Sequence, residues 1–450
     1  MKRALPILSV ALFVALAMSA ISRARAQGKA QQLSSMDRAH AEEMLQQVHD
    51  AVKKDYYDST FHGVDMDARY QKYAAAIKNA PTLGEAFHVI AGYLSGLHDS
   101  HTFFVPPSIN YNFDYGFRMQ MIGDRCFVTE VRPETDAASK IHPGDEILKV
   151  GAFSVNRKDF SDIEYYLNSL SPQGALELSL RDPQGTMRTE QVRTKFITKQ
   201  KLIDVSFETG DTGFWNLILD EESRIHLLRE RWAEIGDTFI WKIPAFNMDQ
   251  GVTDDIMGKA DKHAALVIDL RGNPGGAVDA LSYLVGHFFD HDITIASPVG
   301  RKRDKDLVAK PRGKTYTGKL FILVDSGSAS AAELFARTMQ LNHRGVVVGD
   351  LSAGAVMESR IYPFQIGVMG GNDLIVFYAA SITHDNLIMT DGKSLESVGV
   401  TPDELIVPTG ADLAAGRDPA LAQAAQLAGA KLDPAAAGKL FPFEWAPLQQ

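Results

Sequence analysis

Cysteine is almost absent from this sequence: Cys126 is the single one among 450 residues. One cysteine cannot form an internal disulfide, so the chain is not a disulfide-stapled secreted module. Cys126 lies in Cys-Phe-Val-Thr-Glu-Val, a pattern that predicts a strand, and we expect it to be a small core residue. The histidines, among them His263, His287 and His384, show no metal-ligand spacing. Neither a metal nor a cofactor is therefore predicted.

Long apolar runs are lacking except at the N-terminus, where Ala4 to Ile21 follow Lys2 and Arg3. Ala24-Arg25-Ala26 then supplies the small residues of a cleavage site, which predicts a signal peptide over 1–26 with cleavage before Gln27. An uncleaved anchor is the alternative, because the run is about long enough to span a bilayer. Export without disulfides indicates a periplasmic or secreted bacterial protein with no stable membrane insertion after cleavage.

Positive charge is also in deficit. Removing the leader lowers the Lys and Arg count from 46 to 42 against 56 Asp and Glu residues, and the formal net charge from −10 to −14. This balance argues against nucleic acid or an anionic membrane as a partner.

Helical periodicity dominates the first mature segment, 33–110. Its apolar residues recur at helical spacing in three stripes, which predict a small helical bundle packed through these faces. The stripes are Met44, Leu45, Val48 and Val52; Tyr70, Tyr73, Ala74 and Ile77; and Phe87, Ile90, Ala91, Leu94 and Leu97.

Short strands separated by turns characterise the next segment, 112–197, with one amphipathic helix at 163–170. The stretch from Val131 to Gly151, with its Ala-Ala pair and Pro-Gly-Asp turn, closely resembles the middle of a PDZ domain. The resemblance places Tyr115, Gly116 and Phe117 in the carboxylate-binding loop, where a peptide could add as a strand. The alternative is a PDZ fold that has lost peptide binding.

Strands and helices alternate over 200–410, which predicts an α/β layer domain. The strands are expected at 238–243, 264–270, 320–324, 345–349 and 374–378, with long helices after the second and third. An Ala-rich end, 411–450, is expected to form one helix and a tail.

Two loops of this α/β segment carry the chemistry. Asp269-Leu-Arg-Gly-Asn-Pro-Gly-Gly276 follows a strand, and its glycine pair allows close backbone approach to a ligand. Ser326-Gly-Ser-Ala-Ser-Ala-Ala-Glu333 joins a strand to a helix, the setting of a serine nucleophile. Each loop has a plainer interpretation, as a tight turn and, for Ser330-Ala-Ala-Glu333, as a helix capping box.

Together the two loops closely resemble the C-terminal processing peptidases, also called tail-specific proteases. The order of helical segment, PDZ segment and α/β segment matches as well, so the resemblance spans nearly the whole mature chain. It implies a multidomain α/β protein with a ClpP/crotonase-like peptidase core, in which Ser330 is the nucleophile. The lysine base of the Ser/Lys branch is replaced by Ala355.

The tricorn-like branch of the family, which lacks that lysine, uses a histidine preceded by a serine, with a later glutamate. By this resemblance Ser100 and His101 match the pair in Asp-Ser-His-Thr, and Glu396 completes a Ser-His-Ser-Glu site. His101 could instead be a helix C-terminal histidine, and His98 is a rival base. The oxyanion would be bound by the N–H of Ala331 and by that of Gly275 or Gly276.

The sequence therefore predicts an exported serine endopeptidase acting on protein or peptide substrates, with PDZ-mediated recruitment or gating. The alternative is a catalytically inactive protein that binds peptides through the PDZ segment or holds an apolar ligand.

Overall fold

The computed structural model of the chain describes residues 33–107, 111–198, 219–220, 222–302, 304–366 and 376–447. The leader predicted over 1–26 lies outside these residues. Within them, no helix combines the length and the apolar character needed to cross a bilayer.

Three helices form the N-terminal segment: α1 (Ser35–Asp55), α2 (Met66–Lys78) and α3 (Leu83–Leu94). Each begins at a side-chain cap, because Ser34, Asp65 and Thr82 accept an N–H of the first turn. The helices do not close a core of their own. Their buried faces pack with Tyr378, Ala380 and Ile382 of a long strand from the far end of the chain.

The middle segment is β-rich, as predicted. Its strands are β2 (Tyr111–Asp114), β3 (Phe117–Ile122), β4 (Arg125–Val131), β5 (Glu146–Val150), β6 (Phe153–Ser154), β7 (Ala175–Arg181), β8 (Met187–Arg193) and β9 (Lys195–Thr198). The order β3-β4-β5-β7-β8 leaves β3 at one edge of the sheet. Helix α4 (Phe160–Tyr165) continues as a π-helical turn and buries Ile163 and Leu167 against the sheet, whereas Leu170 is buried in the core of the N-terminal helices. Cys126 is buried in this core.

A six-stranded sheet organises the α/β segment. Its order is β10 (Arg231–Ile235), β11 (Thr238–Lys242), β12 (Ala265–Asp269), β15 (Lys319–Val324), β16 (Val346–Gly349) and β19 (Glu404–Leu405). All pairs from β11 onwards are parallel. Helices α5 (Gln250–Ala260), α6 (Val278–Val285) and α7 (Ala331–Leu341) connect them, and the last two follow the strands predicted to precede helices.

A second sheet joins the two ends of the chain. It contains β1 (Phe103–Val105), β13 (Ile293–Gly300), β14 (Leu307–Ala309), β17 (Met357–Ile366) and β18 (Val376–Met389). Strand β1 comes directly after the helical segment and pairs with β18. The turn that carries Ser100 and His101 is thereby placed against the α/β segment.

The C-terminal segment differs from the prediction of one helix. It forms three short helices, α8 (Gly410–Ala414), α9 (Pro419–Ala428) and α10 (Pro434–Ala437). The cause is local: prolines begin α9 and α10, and the left-handed Gly429 (φ 98°) ends α9. Helix α9 packs on the parallel sheet. The segment boundaries at 110–112, 197–200 and 410–411 stay predictions.

Candidate active site

Three loops meet at the carboxyl edge of the parallel strands β12, β15 and β16. This edge is where ligands of α/β sheets bind. Backbone hydrogen bonds join the loops: the N–H of Ala329 donates to Asn273 O (2.9 Å) and that of Ala353 to Ser328 O (3.0 Å). The Ser330 N–H donates to Ala355 O (3.0 Å). The glycine loop, the serine loop and the loop that carries Ala355 are thus one unit.

Ser330 directly precedes helix α7 and has an unusual backbone, with φ 53° and ψ −115°. Positive φ is disfavoured for a residue with a Cβ, and strain of this kind clusters at functional sites. A serine on a tight strand-to-helix turn is the arrangement of a nucleophile elbow. Ser330 is 6% exposed.

Glu333, one turn into α7, holds this geometry. Its Oε2 accepts the N–H groups of Ser330 (3.0 Å) and Ala355 (2.9 Å), and its Oε1 accepts Ser352 Oγ (2.6 Å) and the Gly354 N–H (2.8 Å). Burial raises the pKa of Glu333 to about 7, against the opposing effect of these four donors. The Glu333 contact expected of a capping box is therefore present. It fixes the backbone of the serine that the family resemblance makes the nucleophile.

The other two serines of the loop are engaged elsewhere. Ser326 Oγ donates to Met121 O (2.6 Å), and Ser328 Oγ donates to Leu270 O (2.8 Å). Both hydroxyls therefore hold the loop to neighbouring backbone, which separates their roles from that of Ser330.

Ser100, His101 and Glu396 form a hydrogen-bonded chain, although 295 residues separate His101 from Glu396 in the sequence. Ser100 Oγ lies 2.7 Å from His101 Nδ1 and donates to Glu396 Oε2 at 2.9 Å. The Ser100 N–H also donates to Glu396 Oε1 at 2.7 Å. The three residues assigned from the resemblance therefore meet in space.

These hydrogen bonds determine the tautomer of His101. Because the single proton of the Ser100 hydroxyl goes to Glu396, the Ser100 oxygen accepts from His101, and Nδ1 carries the proton. Nε2 is then the basic nitrogen of the neutral ring.

His101 is buried, whereas His98, the other candidate for the base, is exposed. Burial lowers the pKa of His101 to about 4, which keeps the imidazole neutral near pH 7. His98, three residues earlier, is exposed and ends a helical turn in the left-handed region, with φ 56°. The buried neutral ring is the one linked to Glu396.

The two halves of the site are joined at Ala355 and Val356. Glu396 Oε2 accepts the N–H of Val356 (2.9 Å), and the preceding residue, Ala355, accepts the N–H of Ser330. The position that a lysine occupies in the Ser/Lys branch thus contributes main-chain groups. The Ala355 carbonyl and the Val356 N–H link the serine loop to Glu396.

The two glycines of the glycine loop, Gly275 and Gly276, differ in the hydrogen bonding of their N–H groups. The Gly275 N–H donates to Asn273 Oδ1 (2.9 Å), whereas within the described residues the Gly276 N–H has no acceptor. A Cβ at Gly276 would lie 2.3 Å from Phe246 O, so only glycine fits there (φ 146°). Asn273, whose Nδ2 also donates to Ile243 O, was not singled out from the sequence. Its Asn-Pro-Gly context, typical of a side-chain-capped turn, is the signal that could have indicated it.

The residues of the loop predicted to bind a peptide carboxylate already make hydrogen bonds within the protein. The Gly116 N–H donates to Asp114 Oδ1 (2.7 Å), Tyr115 Oη donates to Leu167 O (2.9 Å), and Phe117 pairs with Val131 in β4. An incoming carboxylate would have to replace Asp114 at the Gly116 N–H. Peptide binding at this loop stays a prediction.

A polar cleft of about 640 Å³ lies beside the site, lined among others by Val278, Glu358 and His384. Ligand atoms of Asp304, His384 and Asp385 lie within 4.8 Å of one another there, a proximity that the sequence spacing did not reveal. Lys305 and Arg360 line the same cleft, and cationic side chains oppose cation binding. We assign no metal to it.

Comparison with known proteins identifies similar peptidases. Residues 240–406 match peptidase family S41, and residues 37–94 match the tricorn protease C1 domain. A tail-specific protease of Haemophilus influenzae is 26% identical over 319 residues, which cover 65% of this chain and 42% of that protein. A carboxy-terminal-processing protease of Bartonella bacilliformis is 30% identical over 161 residues, 35% of each chain.

Solved structures show the same fold. The crystal structure of mature CPAF has a TM-score of 0.61 at 15% identity and covers 84% of this chain and 95% of its own. The photosystem II D1 C-terminal processing protease has a TM-score of 0.51 at 18% identity, covering 89% and 99%.

The fold and these matches define a serine-type peptidase architecture. Its residues 240–406 match peptidase family S41, and the chain is similar to tail-specific and C-terminal processing proteases. It spans less than half the length of the two curated relatives named above.

Proposed function

We propose that the protein is an exported serine endopeptidase that cleaves peptide bonds of protein substrates. The observation that carries this proposal is the hydrogen-bonded chain Glu396–Ser100–His101, linked through Val356 and Ala355 to the strained Ser330. A histidine whose tautomer leaves Nε2 basic is what a serine nucleophile requires.

In the proposed reaction Ser330 attacks the scissile carbonyl while His101 Nε2 takes its proton and later gives it to the leaving amine. Ser100 and Glu396 orient the ring and stabilise the imidazolium. The developing oxyanion is bound by two N–H groups, that of Ala331 at the first position of α7 and that of Gly276. Gly276 is preferred over Gly275 because Asn273 already accepts the Gly275 N–H.

We further propose that the β3 edge of the PDZ-like segment recruits or gates substrate. An extended peptide can add to such an edge. Two contacts join β3 to the serine loop, Gln120 Nε2 to Asp325 Oδ2 (2.6 Å) and Ser326 Oγ to Met121 O. A strand added to β3 would therefore lie close to the nucleophile loop.

A fluorophosphonate probe tests the nucleophile and the base. We expect the probe to label wild-type protein on the tryptic peptide that contains Ser330, and to label neither Ser330→Ala nor His101→Ala. His98→Ala is the matched control, because His98 is exposed and three residues away, and it should label normally.

Labelling that survives His101→Ala would rule out His101 as the base. A folded wild-type protein that resists the probe and hydrolyses no denatured protein would instead indicate the inactive, peptide-binding alternative.

A further inference from the structure

Asp99 immediately precedes Ser100 and makes an unusual set of contacts for a half-buried carboxylate. Its Oδ1 accepts the N–H of His101 (3.0 Å), the N–H of Thr102 (2.7 Å) and the hydroxyl of Thr383 (2.6 Å). The first two form the turn in which an aspartate caps its own backbone. One oxygen thus fixes the backbone of the histidine at the centre of the site.

The third contact ties this turn to the α/β segment. Thr383 lies on β18, and its N–H donates to Thr102 Oγ1 (3.1 Å), whose hydroxyl donates to Thr383 Oγ1 (3.0 Å). Asp99 and Thr102, which lie on either side of His101 in the sequence, are therefore both hydrogen-bonded to Thr383 of β18. The same turn, which follows the left-handed His98 and precedes β1, is also anchored by Glu396, which accepts the N–H and the hydroxyl of Ser100.

The charge of Asp99 also faces His101. Burial lowers the pKa of His101, and the negative charge of Asp99 is the effect that opposes it. Glu396, the other carboxylate of the site, is linked to the ring through the Ser100 hydroxyl. The neighbouring phenols stay neutral: burial, with Asp99 next, raises the pKa of Tyr57 to about 12, and the same causes raise that of Tyr56 further.

We propose that Asp99 is a positioning residue for the general base: it fixes the His101 backbone through its hydrogen bonds and stabilises the imidazolium by its charge. This inference rests on the proposed function, because it requires His101 to accept the proton of Ser330. When the proton moves, a positive charge forms in a buried place, where a nearby carboxylate acts strongly.

The test separates charge from geometry. Asp99→Asn keeps an oxygen that can accept the same three hydrogen bonds but removes the charge. We expect its second-order rate of fluorophosphonate labelling to fall about tenfold or more at the pH plateau, since proton transfer to a weaker base is slower. The acid limb of the pH–rate profile should move to lower pH, because the group that raises the histidine's pKa is gone.

Asp99→Ser is the second neutral variant, since serine forms the same kind of turn, and it keeps the test informative if Asp99→Asn does not fold. Asp58→Asn is the matched control. Asp58 caps the N–H groups of Thr60 and His62 in a similar turn but contacts no residue of the site. It should leave both the plateau and the acid limb unchanged.

A folded neutral variant whose acid limb and plateau equal those of wild type would overturn the role of Asp99. So would a loss of thermal stability with no change in the acid limb, which would mark a structural turn alone. Neither result affects the proposed function while His101→Ala remains unlabelled. Labelling of His101→Ala would rule out His101 as the base, whereas a folded wild-type protein that resists the probe and hydrolyses no denatured protein would overturn the proposed function itself.

Discussion

At the residue scale, the site depends on polar groups whose hydrogen-bond partners determine their protonation state. The Ser100 hydroxyl has one proton, and its donation to Glu396 leaves Nε2 of His101 as the base. Ala355 has no titratable side chain, yet its carbonyl and the next N–H connect Ser330 with Glu396. The main chain at the position of the missing lysine therefore links Ser330 to Glu396, and we propose His101 as the base in place of that lysine.

The pH dependence follows from the burial of His101. Burial lowers the pKa of His101 to about 4, below its ordinary 6.5, so the ring is neutral and basic above that range. We expect the labelling rate of Ser330 to rise with pH through an apparent pKa below 6.5 and then stay flat to about pH 8. Rates measured from pH 4 to 8, with Ser330→Ala as the background, check this. An acid limb at or above 6.5 would contradict it.

At the scale of elements, helix α7 owes its position to Glu333 as much as to its apolar face. The carboxylate accepts hydrogen bonds from N–H groups of the serine loop and of the loop after β16. One buried side chain therefore joins two loops to one helix. Ser-x-x-Glu is thus a structural motif and part of the site's support at once.

Glu333→Gln should destabilise the protein. The amide replaces one acceptor oxygen by a donor, which then faces N–H groups that lose their partner. Each buried donor left unsatisfied costs about 1–3 kcal/mol. Urea unfolding followed by circular dichroism measures the loss of unfolding free energy, with Glu43→Gln on the surface of α1 as the control. Equal stability of the two variants would show that the Glu333 cluster contributes little.

At the scale of the whole molecule, distant parts of the chain cooperate to build one site. The helical segment supplies Ser100 and His101, the α/β segment supplies Ser330 and Glu396, and the β-rich middle segment contacts the serine loop through Gln120. The helices share a core with β18. Residues that meet at the site are therefore held by the packing of the whole chain.

Export is the prediction for the whole molecule. Expressed with its own leader in a bacterial host, the protein should be recovered outside the cytoplasm with Gln27 as its first residue. Mass spectrometry of the intact protein checks the cleavage point, and replacement of Ala26 by a bulky charged residue, Ala26→Arg, should block cleavage. Recovery of wild-type protein from membranes with residues 1–26 still attached would support the anchor instead.

The sequence by itself determined the elements and the identities of the chemical groups. Apolar periodicity located the three N-terminal helices and the parallel strands β11, β12, β15 and β16, because burial leaves a local trace. The strand expected at 374–378 overlaps β18 of the second sheet instead, and β19 was not predicted. The serine and glycine loops were recognisable because turns at strand ends need small residues. The alanine content of the C-terminal segment predicts one helix, but Pro419, Gly429 and Pro434 divide the segment into three.

Only the tertiary structure decided which groups meet. The pairing of Ser100 with Glu396 and the anchoring of Asp99 on Thr383 depend on contacts between segments. No local pattern encodes such contacts, since they arise when separate elements pack into one core. The lowered pKa of His101 has the same origin, because burial is a property of the folded chain and not of the residue.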